Sequence, residues 1–271
     1  MPTADRIASL LLVLMLVQSL LGLLLSDQYR DVEWIKVTWY GNDWITLVAA
    51  VPLLSLALLH TGGESVRARL LVLGMAGYAV YNYAFYLFGA ALNVFFPLYV
   101  VSFLLGVLTL GRFQSHLDIT VVADSFRRDA PVRLVGGYLV FVAVGLAVVW
   151  LGMWGAYAFA GRPTPIEPEA FKIVAALDLT LMVPALAVGG VLLWRRRSWG
   201  YVIATIAATQ GALYLLVLSV NSAIAIQHGL VSGPGELLIW GPLTISTTIA
   251  AVVLFRSASG TSNLYQRGAN T

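Results

Sequence analysis

The sequence predicts an all-α, polytopic bundle of about eight transmembrane helices, one transmembrane domain over residues 1–255. Three observations carry that prediction. Of 271 residues, 59% are hydrophobic and 11% are charged, against roughly 45–50% and 25% in soluble domains. Mean hydropathy is +0.85. So much apolar surface cannot all be hidden from water, which excludes a soluble two-domain enzyme. The chain also divides into charge-poor stretches of the length a bilayer crossing needs, and its basic residues alternate from one connection to the next.

A helix crosses the hydrocarbon with about 20 apolar residues. Residues 7–25 and 44–63 supply 19 and 20 positions without Asp, Glu, Lys or Arg. Residues 70–111 supply 42, enough for two crossings joined near 89–93, where small residues and Asn93 permit a tight reversal. Residues 134–161 supply 28, closed by the breaker run Arg162-Pro163-Thr164-Pro165. Residues 173–194 supply 22, interrupted only by Asp178, and 198–235 supply 38, a span followed by a turn at 227–235. The last 19 are 237–255. Spans are therefore placed near 7–25, 44–62, 68–89, 93–111, 134–160, 172–194, 199–224 and 236–255. Arg6 ahead of an apolar run fits the start of a signal peptide, but no small-x-small site follows Leu25, so a retained helix is expected. Residues 256–271, rich in Ser, Asn and Gly, are expected to form a disordered cytoplasmic tail.

Positive charge in short loops stays cytoplasmic. Twelve of the sixteen basic residues fall on one side: Arg6, Arg67, Arg69, Arg112, Arg127, Arg128, Arg133, Arg195, Arg196, Arg197, Arg256 and Arg267. Arg30, Lys36, Arg162 and Lys172 fall on the other. Both termini are expected in the cytoplasm, and the alternation favours an even number of spans. The first outer loop, 26–42, carries Tyr29, Trp34, Trp39 and Tyr40. It reads as an interfacial belt or as a lid over an outward-facing site. The inner loop 112–131 places Phe113, Leu117, Val121 and Phe126 among polar residues, which suits either a short helix on the leaflet or a plain linker.

The halves echo one another. Span two carries Asp43 and Pro52, and span six carries Asp178 and Pro184, each followed thirty residues later by a polar or aromatic position, Asn82 and Tyr214. A four-plus-four duplication would give parallel repeats about an axis along the membrane normal. The acid-to-proline spacings differ, nine against six.

An ionisable group inside a bilayer costs about 2.5–3.5 kcal/mol on insertion scales, which makes each a functional candidate. Asp178 is the clear case, about 10 Å below the outer surface at 1.5 Å per residue. Asp43 and Glu236 stand at the expected outer ends of spans two and eight, where carboxylates cap free backbone N–H groups. Gln18, Asn82 and Asn221 come out near the depth of Asp178. Four polar side chains on four helices, with Asp43 above them, describe an outward-facing substrate-binding pocket. The same residues also suit helix–helix hydrogen bonds of about 0.6 kcal/mol each. In span three, Tyr78, Tyr81, Asn82 and Phe85 share one face by helical spacing. That face serves for packing, or Tyr78 and Tyr81 wall a site for an isoprenoid or other amphiphile.

Other chemistries lack their residues. Cysteine is absent, which removes disulfides, thiol nucleophiles and cysteine metal sites. His60, His116 and His228 do not pair across helices for haem, and no mid-span Lys offers a retinal Schiff base. There is no P-loop, no Asp-rich magnesium motif and no Gly-x-Ser-x-Gly, so no cofactor or metal is expected and no catalytic residue is assigned. The net charge of +3 reflects loops beside anionic lipid and not nucleic acid. The expected partners are membrane lipids and a small-molecule or lipid ligand. Gly136, Gly137, Gly189 and Gly190 should let helices pack closely.

Several strings, Trp39-Tyr40-Gly41-Asn42-Asp43, the aromatic run from Tyr81 to Ala91, Ala176-Leu177-Asp178-Leu179 and Arg195-Arg196-Arg197-Ser198-Trp199-Gly200, resemble segments of an uncharacterised family of bacterial multi-spanning inner-membrane proteins. The resemblance implies a bacterial inner membrane and carries no activity. Three functions stay open: a small-molecule transporter or ligand-binding bundle around Asp178, a membrane-embedded enzyme acting on a lipid or isoprenoid, and a non-catalytic scaffold or sensor subunit.

Overall fold

The computed structural model describes residues 2–61, 65–231 and 233–259. Helix makes up 84% of the described residues, and no β-strand occurs among them. Among the described residues nine helices follow in order: α1 (Pro2–Leu24), α2 (Glu33–Thr61), α3 (Val66–Gly89), α4 (Phe96–Ser115), α5 (Ile119–Ser125), α6 (Val132–Ala160), α7 (Pro168–Trp194), α8 (Ser198–Gln227) and α9 (Leu237–Ser257). All but α5 are long and apolar enough to cross a membrane.

The largest departure from the sequence reading is the start of α2. It begins at Glu33, eleven residues before the first charge-free position, with Glu33 in its first turn and the Lys36–Glu33 pair on its surface. The stretch expected as an outer loop is therefore half helix, and its Trp39 is buried against Tyr86 and Phe85. Tyr29, in the turn before α2, is buried too. Neither is an interfacial belt residue. Asp43 is not a helix cap but an interior position. Asp31 does the anchoring instead, accepting from Trp39 Nε1 at 2.9 Å and from the Ala91 N–H at 3.0 Å.

Two spans contain a π turn immediately before a proline. In α2 it is Thr46–Ala50, closed by the Val51 N–H on the Thr46 carbonyl, with Pro52 next. In α7 it is Asp178–Met182, closed by the Val183 N–H on the Asp178 carbonyl, with Pro184 next. A proline in a helix loses an N–H and crowds the carbonyl four residues back, and the wider i→i+5 turn relieves that crowding. The register of turn to proline is the same in both.

At the centre, α3 packs along α8, with Gly74 against Thr209 and Gly77 against Ile206 and Gln210. Across this pair α2 leans on α8 and α7 on α3. Gly136 and Gly190 bring α6 and α7 into backbone contact, as their sequence predicts. A Cβ on either would lie 2.7 Å from the other's carbonyl oxygen.

The face holding the start of α1 and the end of α9 is stitched by loops. Arg67 Nε donates to the Ala258 carbonyl at 2.7 Å, and the Arg127 N–H to the Ser257 carbonyl at 2.9 Å. Thus α9 runs through Ser257, and residues 256–259 are ordered against the α5 connection. The remainder of the expected tail, 260–271, lies outside the described residues. Helix α5 is capped by Asp118, whose carboxylate accepts from Thr120 Oγ1 and from the Thr120 and Val121 N–H groups. The Thr120 hydroxyl, followed by those backbone donors, holds the Asp118 carboxyl below its ordinary range. Its Val122 and the following Phe126 turn into the bundle, Phe126 against Tyr201 at 4.7 Å between centroids. The apolar side of α5 is spent on the protein itself. Glu236 precedes α9 without capping it, and the Ser222 hydroxyl donates to it at 3.4 Å.

Candidate functional site

Asp43 and Asp178 each stand ten residues into their span, counted from Glu33 and Pro168. At 1.5 Å per residue that is about 15 Å, half the hydrocarbon thickness of roughly 30 Å. Each is 0% exposed. Two carboxylates, not one, are therefore deep in the bundle.

The Asp43 cluster joins α1, α2, α3 and the turn before α2. Tyr29 donates to Oδ2 at 2.5 Å, Tyr86 to Oδ1 at 2.7 Å, and Gln18 Nε2 to Oδ1 at 3.0 Å. Tyr83 in turn donates to Gln18 Oε1 at 3.2 Å, which sets the amide's orientation. Tyr86 also approaches the Trp39 carbonyl at 3.2 Å. A wall of rings closes the cluster: Tyr86 stacks on Trp39 and on Tyr99, each at 4.9 Å between centroids. Gly22 makes the fit, because a Cβ there would collide with Asp43 Oδ2 and the Tyr29 hydroxyl. Burial, and after it the neighbouring Asp43, pushes the Tyr29 hydroxyl far above the ordinary tyrosine range, so it remains a donor.

The Asp178 cluster joins α3, α6, α7 and α8. Tyr81 donates to Oδ1 at 2.6 Å, Trp150 Nε1 to Oδ2 at 2.8 Å, and Tyr214 to Oδ2 at 3.4 Å. Tyr81 and Tyr214 meet edge to face at 4.9 Å. No Lys, Arg or His contacts either carboxylate among the described residues. The donors are hydroxyls, an amide and an indole, all neutral.

The single pocket around Asp178 expected from depth alone is corrected by this geometry. Gln18 belongs to Asp43, across the central helix from Asp178, because Tyr81 and the pair Tyr83 and Tyr86 leave α3 on different sides. Tyr78 turns to Thr46, 2.9 Å away, so Tyr78 and Tyr81 do not wall one site. Asn82 lies on the α3 stripe between Tyr78 and Tyr86 and hydrogen-bonds to neither carboxylate. Asn221 packs against Gly41 of α2. Asn82 Nδ2, Asn221 Oδ1 and Asn42 Nδ2 are buried without partners. Sequence reasoning missed Tyr29, Tyr86, Trp150 and Tyr214 as carboxylate partners, and Tyr83 as the group that orients Gln18. The aromatic density of α3 was the available signal for two of them, while nothing local marks Trp150.

The fold and the two clusters define an integral membrane helix bundle with buried, cation-free carboxylates. Over 173 residues, 61% of the chain, it is 32% identical to the NADH-quinone oxidoreductase subunit N of Acidothermus cellulolyticus. That stretch is 31% of the relative, so the chain spans about a third of the length of the curated protein it matches. No family profile matches the chain, and no solved structure matches it.

Proposed function

We propose that this protein is a proton-coupled membrane subunit of a bacterial inner membrane, moving protons or a proton-linked small solute, with Asp178 as the exchanging group. One observation carries the reading. Two mid-span carboxylates are wholly buried and face only neutral donors. Charge at that depth is costly without a partner, and taking up a proton removes the cost. On protonation at Oδ1, Asp178 becomes a donor to the Tyr81 oxygen, and the Tyr81 hydroxyl must turn elsewhere. A bond between α3 and α7 thereby changes direction with each proton. Similarity to a subunit of an NADH–quinone oxidoreductase supports a place in a larger assembly. The positive-inside distribution of Lys and Arg supports a cytoplasmic position for both termini.

The test is proton flux in liposomes loaded with a pH-sensitive dye under a potassium diffusion potential. Protein-dependent flux that is lost in Asp178→Asn, with unchanged elution of the purified variant, is the expected result. Equal flux in both proteins overturns the reading.

One observation favours a second reading, an enzyme acting on a lipid. Trp150 is only partly buried and sits on α6, whose following residues Leu151, Trp154, Tyr157 and Phe159 are exposed. An amphiphile entering from the bilayer would reach Asp178 through the indole. A lipid product that depends on Asp178, seen by mass spectrometry of the reconstituted protein, would select this reading.

A further inference from the structure

Buried serine and threonine hydroxyls in this protein have a common habit. Ser19, Thr205 and Thr209 each donate to the carbonyl four residues back in their own helix, at 2.6–2.8 Å. Ser102 and Thr109 of α4 do not. Each is 0% exposed, and its hydroxyl has no partner. The Tyr99 hydroxyl, on a residue 1% exposed, makes no well-formed hydrogen bond either, with Asn93 and Tyr29 as its polar neighbours. With Gly106 and Phe113, these residues form one stripe at spacings of three and four.

The stripe faces a three-helix seam. Tyr99 stacks on Tyr86 at 4.9 Å, and Gly106 lies against Val80, where a Cβ would be 3.1 Å from Cγ2. Ser102, between those levels, has its hydroxyl near that of Tyr83 without a well-formed bond to it, and the Tyr83 hydroxyl reaches Gln18 of α1. Further along the seam, at the face holding the start of α1, Asp5 Oδ1 and Arg69 Nε are also buried without partners. Arg69 is fourteen residues before Tyr83, close to four turns, and so on the same side of α3. Six of the eight unpartnered buried polar atoms among the described residues, Asn82 Nδ2 included, thus lie on α1, α3 and α4. From Tyr99 to Thr109 the row covers about 15 Å, and it continues to the end of α4. Hydroxyls that forgo an available carbonyl and turn into an apolar interior need another partner. Water suits them, since it bonds several such groups at once.

We propose that the seam between α1, α3 and α4 holds a file of water through which protons reach Asp43, lined by Tyr99, Ser102 and Thr109. The proton use rests on the function proposed above; the water file does not. A hydronium in the file gives its proton to Asp43 Oδ1 and leaves as water. Oδ1 then donates to the Tyr86 oxygen, and the Tyr86 hydroxyl turns fully to the Trp39 carbonyl it already approaches.

The natural chain contains no cysteine, so single thiols report cleanly. Ser102→Cys and Thr109→Cys are placed in the full chain in liposomes and exposed to silver ion, a thiol reagent small enough for a water file. Leu54→Cys and Leu186→Cys, buried in α2 and α7, serve as controls off the seam. The thiols at 102 and 109 should react at least an order of magnitude faster than the controls. Reaction at the control rate, in variants that elute as the natural protein does, overturns the file. Because Ser→Cys nearly conserves volume, Ser102→Cys stays informative if Thr109→Cys misfolds. Protected thiols with Asp178-dependent flux sink the seam alone, and reactive thiols without flux sink the transport reading alone.

Discussion

The two halves put a carboxylate at the same depth, ten residues into a span that bends at a π turn before a proline, yet they surround it differently. Around Asp43 the enclosure is tight: α1 packs along both α2 and α4, and the rings of Tyr29, Trp39, Tyr86 and Tyr99 stand around it. Around Asp178 one wall is a helix with little behind it. Helix α6 holds to α7 through glycine contacts and to α9 through Tyr138, which is 2.8 Å from Ser246 Oγ and 2.6 Å from Thr247 Oγ1. Its last ten residues carry little burial, and Gly145, Gly152 and Gly155 have open space where a side chain would go. Similar donor chemistry thus sits in a rigid enclosure and in a yielding one. At Asp178 a donor can move together with its helix, whereas at Asp43 the change is confined to rotation of a hydroxyl, as at Tyr86.

That contrast can be broken by substitution. Gly22→Val should have the largest effect, because its side chain enters the space of Asp43 and Tyr29. Overpacking of this kind costs about 1–3 kcal/mol, and the melting temperature in detergent should fall clearly. Asp43→Asn keeps the volume but replaces an acceptor with an amide among three donors. One donor then loses its partner, for about 1–3 kcal/mol, and the same melting assay should show it below or level with Gly22→Val. Trp150→Phe removes a single indole donor from the looser cluster, a loss of about 0.6 kcal/mol. Its stability should barely move while proton flux changes rate. Gly152→Val should be the mildest, within about 0.5 kcal/mol. A strong loss there would mean that α6 is covered by something its open surface does not reveal, and the contrast between the halves would fall.

The number of crossings was legible because bilayer thickness acts on local composition. Runs of about twenty apolar residues are visible without knowing what packs on what. The start of α2 was not legible, since Glu33, Lys36 and Asp43 interrupt the apolar run that would have announced it. The charges are tolerated for different reasons: Glu33 and Lys36 pair at the surface, and Asp43 is supplied with three donors. The candidate site was half legible. Depth arithmetic selected Asp178 and Gln18, and the aromatic face of span three supplied Tyr81, all of which make buried carboxylate clusters, but depth also selected Asn82 and Asn221, which bond to neither carboxylate, and it gathered Gln18 around Asp178.

By itself the sequence determined a membrane bundle, its approximate spans, and the small set of polar residues too costly to be accidental there. Those are consequences of transfer free energy, a property of each segment in turn. Only the tertiary structure decided which polar residues meet. Tyr81 reaches Asp178 across 97 positions and Gln18 reaches Asp43 across 25. Such pairings depend on how each helix is rotated about its axis, at 100° per residue. In helices apolar nearly all round, hydropathy leaves that rotation free, and glycine contacts such as Gly22 against Asp43 and Gly136 against Gly190 set it.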